Sequence, residues 1–337
     1  MEGAGTQGGD CTWDRCTAKT AISGRETGNL AQVSCAAARV WITSRPMTSN
    51  RRSFPLLAVF FVLLLLGSIL TAAQNNPDRE EWISLFNGKD LNDWIVKIRR
   101  HEVGANFGQT YRVNDGMIQV RYDQYTAFNE QFGVLFYKEP FSHYRLRVEY
   151  RFVGDQVPGG PEWARRNSGI MLHSQDPKTM PAMQDFPISI EFQFLGGLSN
   201  GAMRSTGNMC SPGTNIVLAG KLETRHCINS TSETYNGDQW VLAEAVVLGD
   251  SKMTHLINGK AVIEYTEPQI GGGSVSGHDP AVKQDGKRLT EGYIALQAES
   301  HPIDFRRVEL LNLKGCMNPT AANYRRYYVQ SDPAACK

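Results

Sequence analysis

Apolar and polar residues alternate along much of this chain with a period of two. The clearest run is 144–152, where Tyr144, Leu146, Val148, Tyr150 and Phe152 alternate with Arg145, Arg147, Glu149 and Arg151. Such a pattern predicts a strand with one buried and one solvated face. Related runs predict strands at 132–137, 168–174, 187–195, 239–247, 253–257, 261–266, 292–298 and 305–313. Asp115-Gly116 and Asn258-Gly259 fall between alternating runs and predict tight hairpins. No helix-period segment of real length lies between 82 and 314, so the pattern predicts an all-β sandwich or barrel of many short strands.

The first 81 residues of the pattern are of another kind. From Met47, two arginines (Arg51, Arg52) precede an apolar run from Phe54 to Leu66, followed by the small residues Thr71, Ala72 and Ala73. That layout predicts a secretory signal peptide over 47–73, cleaved near Ala73 or Gln74; an uncleaved membrane anchor is the alternative. Cleavage leaves no stable membrane span and an exported chain, periplasmic or extracellular. Residues 1–46 have neither strand nor helix period and sit awkwardly ahead of a signal peptide, so translation is expected to start at Met47. A polar linker (74–81) then leads into one large domain over 82–314.

Charge and cysteines sharpen this picture. Lys and Arg number 35 against 34 Asp and Glu, which excludes a strongly basic nucleic-acid binder. Past the leader four cysteines remain: Cys210, Cys227, Cys316 and Cys336. An even count in an exported chain predicts two disulfides. Proximity favours Cys210–Cys227 and Cys316–Cys336, although spacing does not fix connectivity, and the absence of a C-x-x-C pair makes a zinc site a weak rival. Residues 315–337, bounded by two cysteines and without strand pattern, read as a disulfide-closed tail.

Candidate chemistry lies on the polar faces of three strands. In "ISIEFQFLG" (188–196), Glu191 and Gln193 alternate with Ile190, Phe192 and Phe194. In "SGIMLHS", Gly169, Met171 and His173 oppose Ile170 and Leu172; in "GYIALQAE", Tyr293, Ala295, Gln297 and Glu299 oppose Ile294 and Leu296, with His301 and Arg306 following. If these strands are neighbours, His173, Glu191, Gln193, Gln297 and His301 line one groove. Acids, amides and imidazoles on a shared face suit a hydroxyl-rich ligand, because each sugar hydroxyl both donates and accepts. Trp94, Trp163 and Trp240 are possible sugar-stacking platforms, with Trp240 expected in the core. No G-x-S-x-G elbow, P-loop or Rossmann glycine pattern occurs. Laminarinase-type β-glucanases carry their acids on one strand as E-x-D-x-E; here that strand keeps Glu191 alone, which argues against double displacement between two carboxyls.

The segments "LFNGKDLNDW" (85–94), "NDG" (114–116), "NSGI" (167–170), "IEFQ" (190–193), "TGN" (206–208), "DQW" (238–240), "NGK" (258–260), "LQAES" (296–300) and "FRRVEL" (305–310) follow one another in a characteristic order. In that order and spacing the chain resembles the 3-keto-disaccharide hydrolase family, also described as 3-keto-glycoside lyase and 3-keto-2-hydroxy-glucal hydratase. The resemblance implies a concanavalin A-like jelly-roll β-sandwich of two antiparallel sheets. It implies a carbohydrate substrate, and an upstream sugar 3-oxidoreductase as pathway partner. It also implies a reaction in which the C3 ketone acidifies the C2 proton, a base removes it, the C1 substituent leaves and water adds. On this chain the expected base is His173, His301 or Glu191. Arg166, Arg306 or a divalent metal held by Glu191, His173 and His301 would stabilise the oxyanion, and Asn167, Gln193 and Gln297 would orient the sugar. The family pattern often has Arg where this chain has His173. Rival functions are a lectin-like binding module, a conventional glycosidase and a cell-surface interaction domain.

Overall fold

A computed structural model describes residues 76–337; the expected signal peptide, the segment ahead of it and the first residues of the linker lie outside the described residues. The strands run β1 (Ile83–Ser84), β2 (Trp94–Ile98), β3 (Tyr111–Asn114), β4 (Met117–Val120), β5 (Gly133–Tyr137), β6 (His143–Phe152), β7 (Asn167–Ser174), β8 (Ile190–Leu195), β9 (Asn208–Cys210) and β10 (Thr214–Leu218). They continue β11 (Lys221–Glu223), β12 (Cys227–Ile228), β13 (Val241–Leu248), β14 (Lys252–Ile257), β15 (Lys260–Ile270), β16 (Tyr293–Ala298), β17 (Ile303–Asn312), β18 (Lys314–Gly315) and β19 (Gln330–Ser331). Among the described residues, helix is confined to short 3-10 turns.

Two antiparallel sheets result. The larger has the order β11-β10-β15-β14-β13-β6-β17-β4-β3, with β1 alongside β17; the smaller has the order β12-β9-β8-β7-β16-β5-β2. Neighbours that are distant in sequence, such as β6 between β13 and β17, mark the Greek-key crossing of a concanavalin A-like jelly roll. Both expected hairpins form: Asp115 and Gly116 join β3 to β4, and Asn258 and Gly259 join β14 to β15, all four with positive φ, as a type I′ turn requires.

The core is the space between the sheets, filled by alternate residues of each strand. Phe194 of β8 stacks on Tyr150 of β6 at 4.0 Å, and Phe192 stacks on His255 of β14 at 3.9 Å. His255 is fully buried; its Nδ1 donates to the Gly207 carbonyl at 3.1 Å and its Nε2 accepts from Tyr265 Oη at 2.7 Å. Burial holds that imidazole down, to about 4, so it stays neutral.

The second face of the smaller sheet is not simply solvated. Segment 176–186 folds over half of it, and Met180 packs with Val134, Phe136, Met171 and Ala295 in a small separate core. Lys97 anchors this segment by donating from Nζ to the Ala182 and Ile98 carbonyls, both at 3.0 Å. The other half of the face stays open.

Cys210–Cys227 and Cys316–Cys336 are both bonded. The tail departs from the expected absence of strand: β18 and β19 pair in parallel. Arg325 and Arg326 pair with Glu81 and Asp78, so the tail ties down the segment that enters the domain.

Asp304 on β17 is 1% exposed and receives hydrogen bonds from both Arg121 and Arg151. Removing the carboxylate strands two partly buried guanidinium groups. We expect Asp304→Ala to lower the unfolding free energy by about 2–4 kcal/mol in a denaturant titration, with an unchanged m value.

Candidate functional site

The open half of the smaller sheet carries a groove of about 250 Å³. The groove is lined by Trp163, Asn167, Glu191, Gln193, Arg204 and Glu299, with Phe186, His226 and Cys227 at its margins. Cross-strand register explains the grouping. Gly169 of β7 pairs with Gln193 of β8, Asn167 with Leu195, and Met171 with Glu191. On the other side of β7, Leu296 pairs with Ile170, which sets Gln297 beside Gly169 and Glu299 beyond it, level with Asn167. Cys210 of β9 lies opposite Glu191 and Asn208 opposite Gln193, so the Cys210–Cys227 disulfide borders the site.

Gly169 is needed for space. A Cβ there would meet Glu191 Cγ and Oε1 and the Phe192 carbonyl oxygen, each at 3.0 Å. The Glu191 carboxyl therefore lies across the glycine, toward the row that holds Glu299. Glu191 is 5% exposed and its Oε1 has no partner among the described residues; Glu299 is 3% exposed, accepts from Gln297 Nε2 at 2.8 Å, and its Oε2 has none among them either. Asn167 Oδ1 and Gln297 Oε1 are also buried and unpartnered. Gln193 is held by Asn208, whose Nδ2 donates to it at 2.9 Å. Four buried acceptors without donors, gathered at one place, call for a ligand or a proton that donates to them.

Burial supplies the proton. It pushes the Glu191 carboxyl up, to about 8. Glu299 is pushed well above the ordinary range, first by burial and then by the charge of Glu191. Both carboxyls thus keep their protons to higher pH than ordinary ones, and the charge of either one, once ionised, holds the proton on the other.

Trp163 is 55% exposed and stacks on Phe132 with centroids 5.8 Å apart, so it presents a free ring face at the mouth. Arg204 forms part of the wall. It donates to the carbonyls of Gly196 (2.6 Å) and Arg166 (3.1 Å), and among the described residues no carboxylate forms an ion pair with it.

The structure brings together Glu191, Gln193 and Asn167, with Gln297 at the base between them. It does not bring in the two histidines. His173 sits at a bulge where β7 and β16 lose register, with φ 47°. That bulge breaks the alternation and turns the ring toward the opposite sheet, where Nε2 donates to the Gly249 carbonyl at 3.1 Å and the ring meets Tyr144 edge-on. His301 and Arg166 face a separate cavity. Arg306 is corrected outright: it lies on the outer face of the larger sheet, bonded to Glu149 at 2.6 Å and stacked on Trp240 at 4.0 Å. Glu191, His173 and His301 thus do not form a shared ligand set, and among the described residues no three His, Cys, Asp or Glu side chains gather as a metal-holding group. Trp240, expected in the core, is half-buried on that same outer face, whereas Trp94 is buried. The second carboxyl thought missing comes from Glu299 at the end of another strand. Its outward position was visible in the alternation of 293–299; Arg204 and His226 come from loops and left no such signal.

The sequence profile described as the 3-keto-alpha-glucoside-1,2-lyase-like domain matches residues 81–311. The chain belongs to that family. As a member of the 3-keto-glucoside lyase-like family it falls among carbohydrate-active enzymes, and the matched span contains every residue of the groove. No curated protein sequence matches the chain. Among solved structures, a Parabacteroides distasonis protein provisionally called a glycosyl hydrolase shares 16% identity over 69% of this chain and 99% of its own, with a TM-score of 0.42. The carbohydrate-binding module CBM66 of Bacillus subtilis shares 10% identity over 65% of this chain and 96% of its own, with a TM-score of 0.36. Likeness this distant carries no inference about activity.

Two outcomes test this site. Gly169→Ala should displace the Glu191 carboxyl and cut kcat by about 10²-fold, with a small change in melting temperature. For Glu191→Gln the sign follows from proton binding. The folded state holds the Glu191 proton more tightly than the unfolded chain does, so wild-type stability is present at low pH and is lost as pH rises from about 4.5 to about 8. Parallel denaturant titrations should show Glu191→Gln gaining on wild type across that window; a constant difference would remove the raised carboxyl from the site.

Proposed function

We propose that the chain is an exported enzyme that cleaves 3-keto-glycosides by elimination followed by hydration. The observation that carries this reading is the pair of buried carboxyls, Glu191 and Glu299, in a groove walled in part by Arg204, which has no ion pair among the described residues, in a chain of the 3-keto-glucoside lyase-like family. The two disulfides support export, since such bonds persist in oxidising compartments. Among the described residues no helix is long and apolar enough to cross a membrane.

The groove is small for a ligand site, which suits one sugar ring, with Trp163 as its stacking platform. The ionised form of Glu191 takes the proton from C2. Burial makes it a stronger base than an ordinary carboxylate, as abstraction of a carbon acid proton demands. Negative charge then develops on the C3 oxygen, where Arg204 and the amide of Gln193 or Asn167 stabilise it. Glu299, protonated, gives its proton to the glycosidic oxygen as the C1–O bond breaks. Water then adds across C1 and C2: its hydroxyl goes to C1 and its proton to Glu299, while Glu191, its acquired proton exchanged with solvent once the leaving group departs, protonates C2. The sum is hydrolysis. The 3-keto substrate must come from a sugar 3-oxidoreductase.

A second reading is favoured by the same carboxyl pair: direct acid–base or nucleophilic displacement at C1, as in conventional glycosidases. Solvent deuterium separates the two. In D2O, a 3-keto-glucoside cleaved by elimination and hydration yields a sugar carrying deuterium at C2, read by NMR or mass spectrometry, and the unoxidised parent is not cleaved. Cleavage of the parent, or product without deuterium at C2, would establish displacement instead.

A further inference from the structure

Loop 161–166 has a cavity on each side. Trp163 faces the groove; Glu162, Arg165 and Arg166 face a second, more polar cavity of about 330 Å³. Asp155, Ser199 and His301 complete the second wall. His301 is 3% exposed, it packs edge-on against Phe152, and neither of its ring nitrogens has a partner among the described residues. Arg166 Nε, on the same wall, is also buried and unpartnered. The remaining contacts of Arg166 fix its position: it donates to the Gly237 carbonyl and pairs with Asp238 at 3.2 Å.

Buried imidazole and guanidinium nitrogens left unpaired cost free energy that a ligand in the cavity would recover. The character of that ligand follows from the wall. Arg165 and Arg166 are outnumbered by the carboxylates Asp155 and Glu162 of the wall and Asp238 beside it, so the cavity holds no surplus positive charge to select an anion. Burial, reinforced by Arg166 and Arg165, holds the His301 ring down to about 4, hence neutral. A neutral imidazole donates from one nitrogen and accepts at the other. Sugar hydroxyls answer both, one accepting from the N–H and another donating to the bare nitrogen, and a row of hydroxyls also answers the alternation of guanidinium and carboxylate around the wall.

We propose that this cavity is a second saccharide-binding site, separate from the groove and specific for a neutral sugar. It lies behind the wall that carries Trp163, and Arg204 braces that wall from the groove side. The site would hold a further sugar unit while the groove acts on another.

The test is a titration of the full chain with methyl α-D-glucopyranoside, followed by NMR of the histidine rings. There are seven histidines, and His301→Asn identifies the signal. The His301 resonances should move and saturate with the sugar, in wild type and in Trp163→Ala alike, and should not respond to inorganic phosphate. Absence of movement in wild type, movement with phosphate alone, or loss of the response in Trp163→Ala would each overturn the proposal. Turnover of 3-keto-glucosides is read separately, so failure of the groove chemistry and failure of this site are distinguishable.

Discussion

The site depends on how β8, within the smaller sheet, is held against the larger one. Phe192 lies flat on His255 and Phe194 flat on Tyr150, both partners belonging to the opposite sheet. Each such pair contributes about 0.5–1.5 kcal/mol beyond the area it buries. Their larger effect is on register. Strand side chains alternate faces, so a slip of one residue would turn Glu191 and Gln193 in between the two sheets and the phenylalanines out of the core. The two rings make that slip prohibitive, and His255 is itself pinned by Tyr265 and Gly207.

With β8 fixed, the chemistry turns on a missing side chain. Gly169 lets the Glu191 carboxyl lie across β7 toward Glu299, in surroundings where neither carboxyl has enough hydrogen-bond donors. Burial of two such groups opposes folding at neutral pH, and an ordinary core would not keep them. The fold sustains this cost through the aromatic packing beneath and through local braces. Gln297 holds one oxygen of Glu299, Asn208 holds Gln193, and Arg204 clamps the loops at the rim. A strained, partly unsatisfied polar cluster on a rigid sheet is the arrangement that electrostatic preorganisation requires.

The outward face of the smaller sheet is divided unequally. Segment 176–186, anchored through Lys97 and Met180, covers one half; the loops around Trp163 and Arg204 and the Cys210–Cys227 disulfide frame the other. Loops rather than strands therefore set the size of the groove, and they separate it from the cavity at His301.

The sequence by itself determined the all-β class, the hairpins at Asp115-Gly116 and Asn258-Gly259, and the outward facing of Glu191, Gln193, Gln297 and Glu299. Each of these follows from period-two alternation or from turn chemistry that neighbouring residues impose on one another. Tertiary structure alone decided which outward residues meet. Glu191 and Glu299 are far apart in sequence and are joined through β7; Arg204 arrives from a loop without periodicity; Arg306 goes to the other sheet. His173 shows the limit most plainly. Alternation assigns it to the polar face, yet a one-residue bulge against β16 turns it into the interior, because pairing across a sheet is settled by the partner strand and not by the strand that carries the residue.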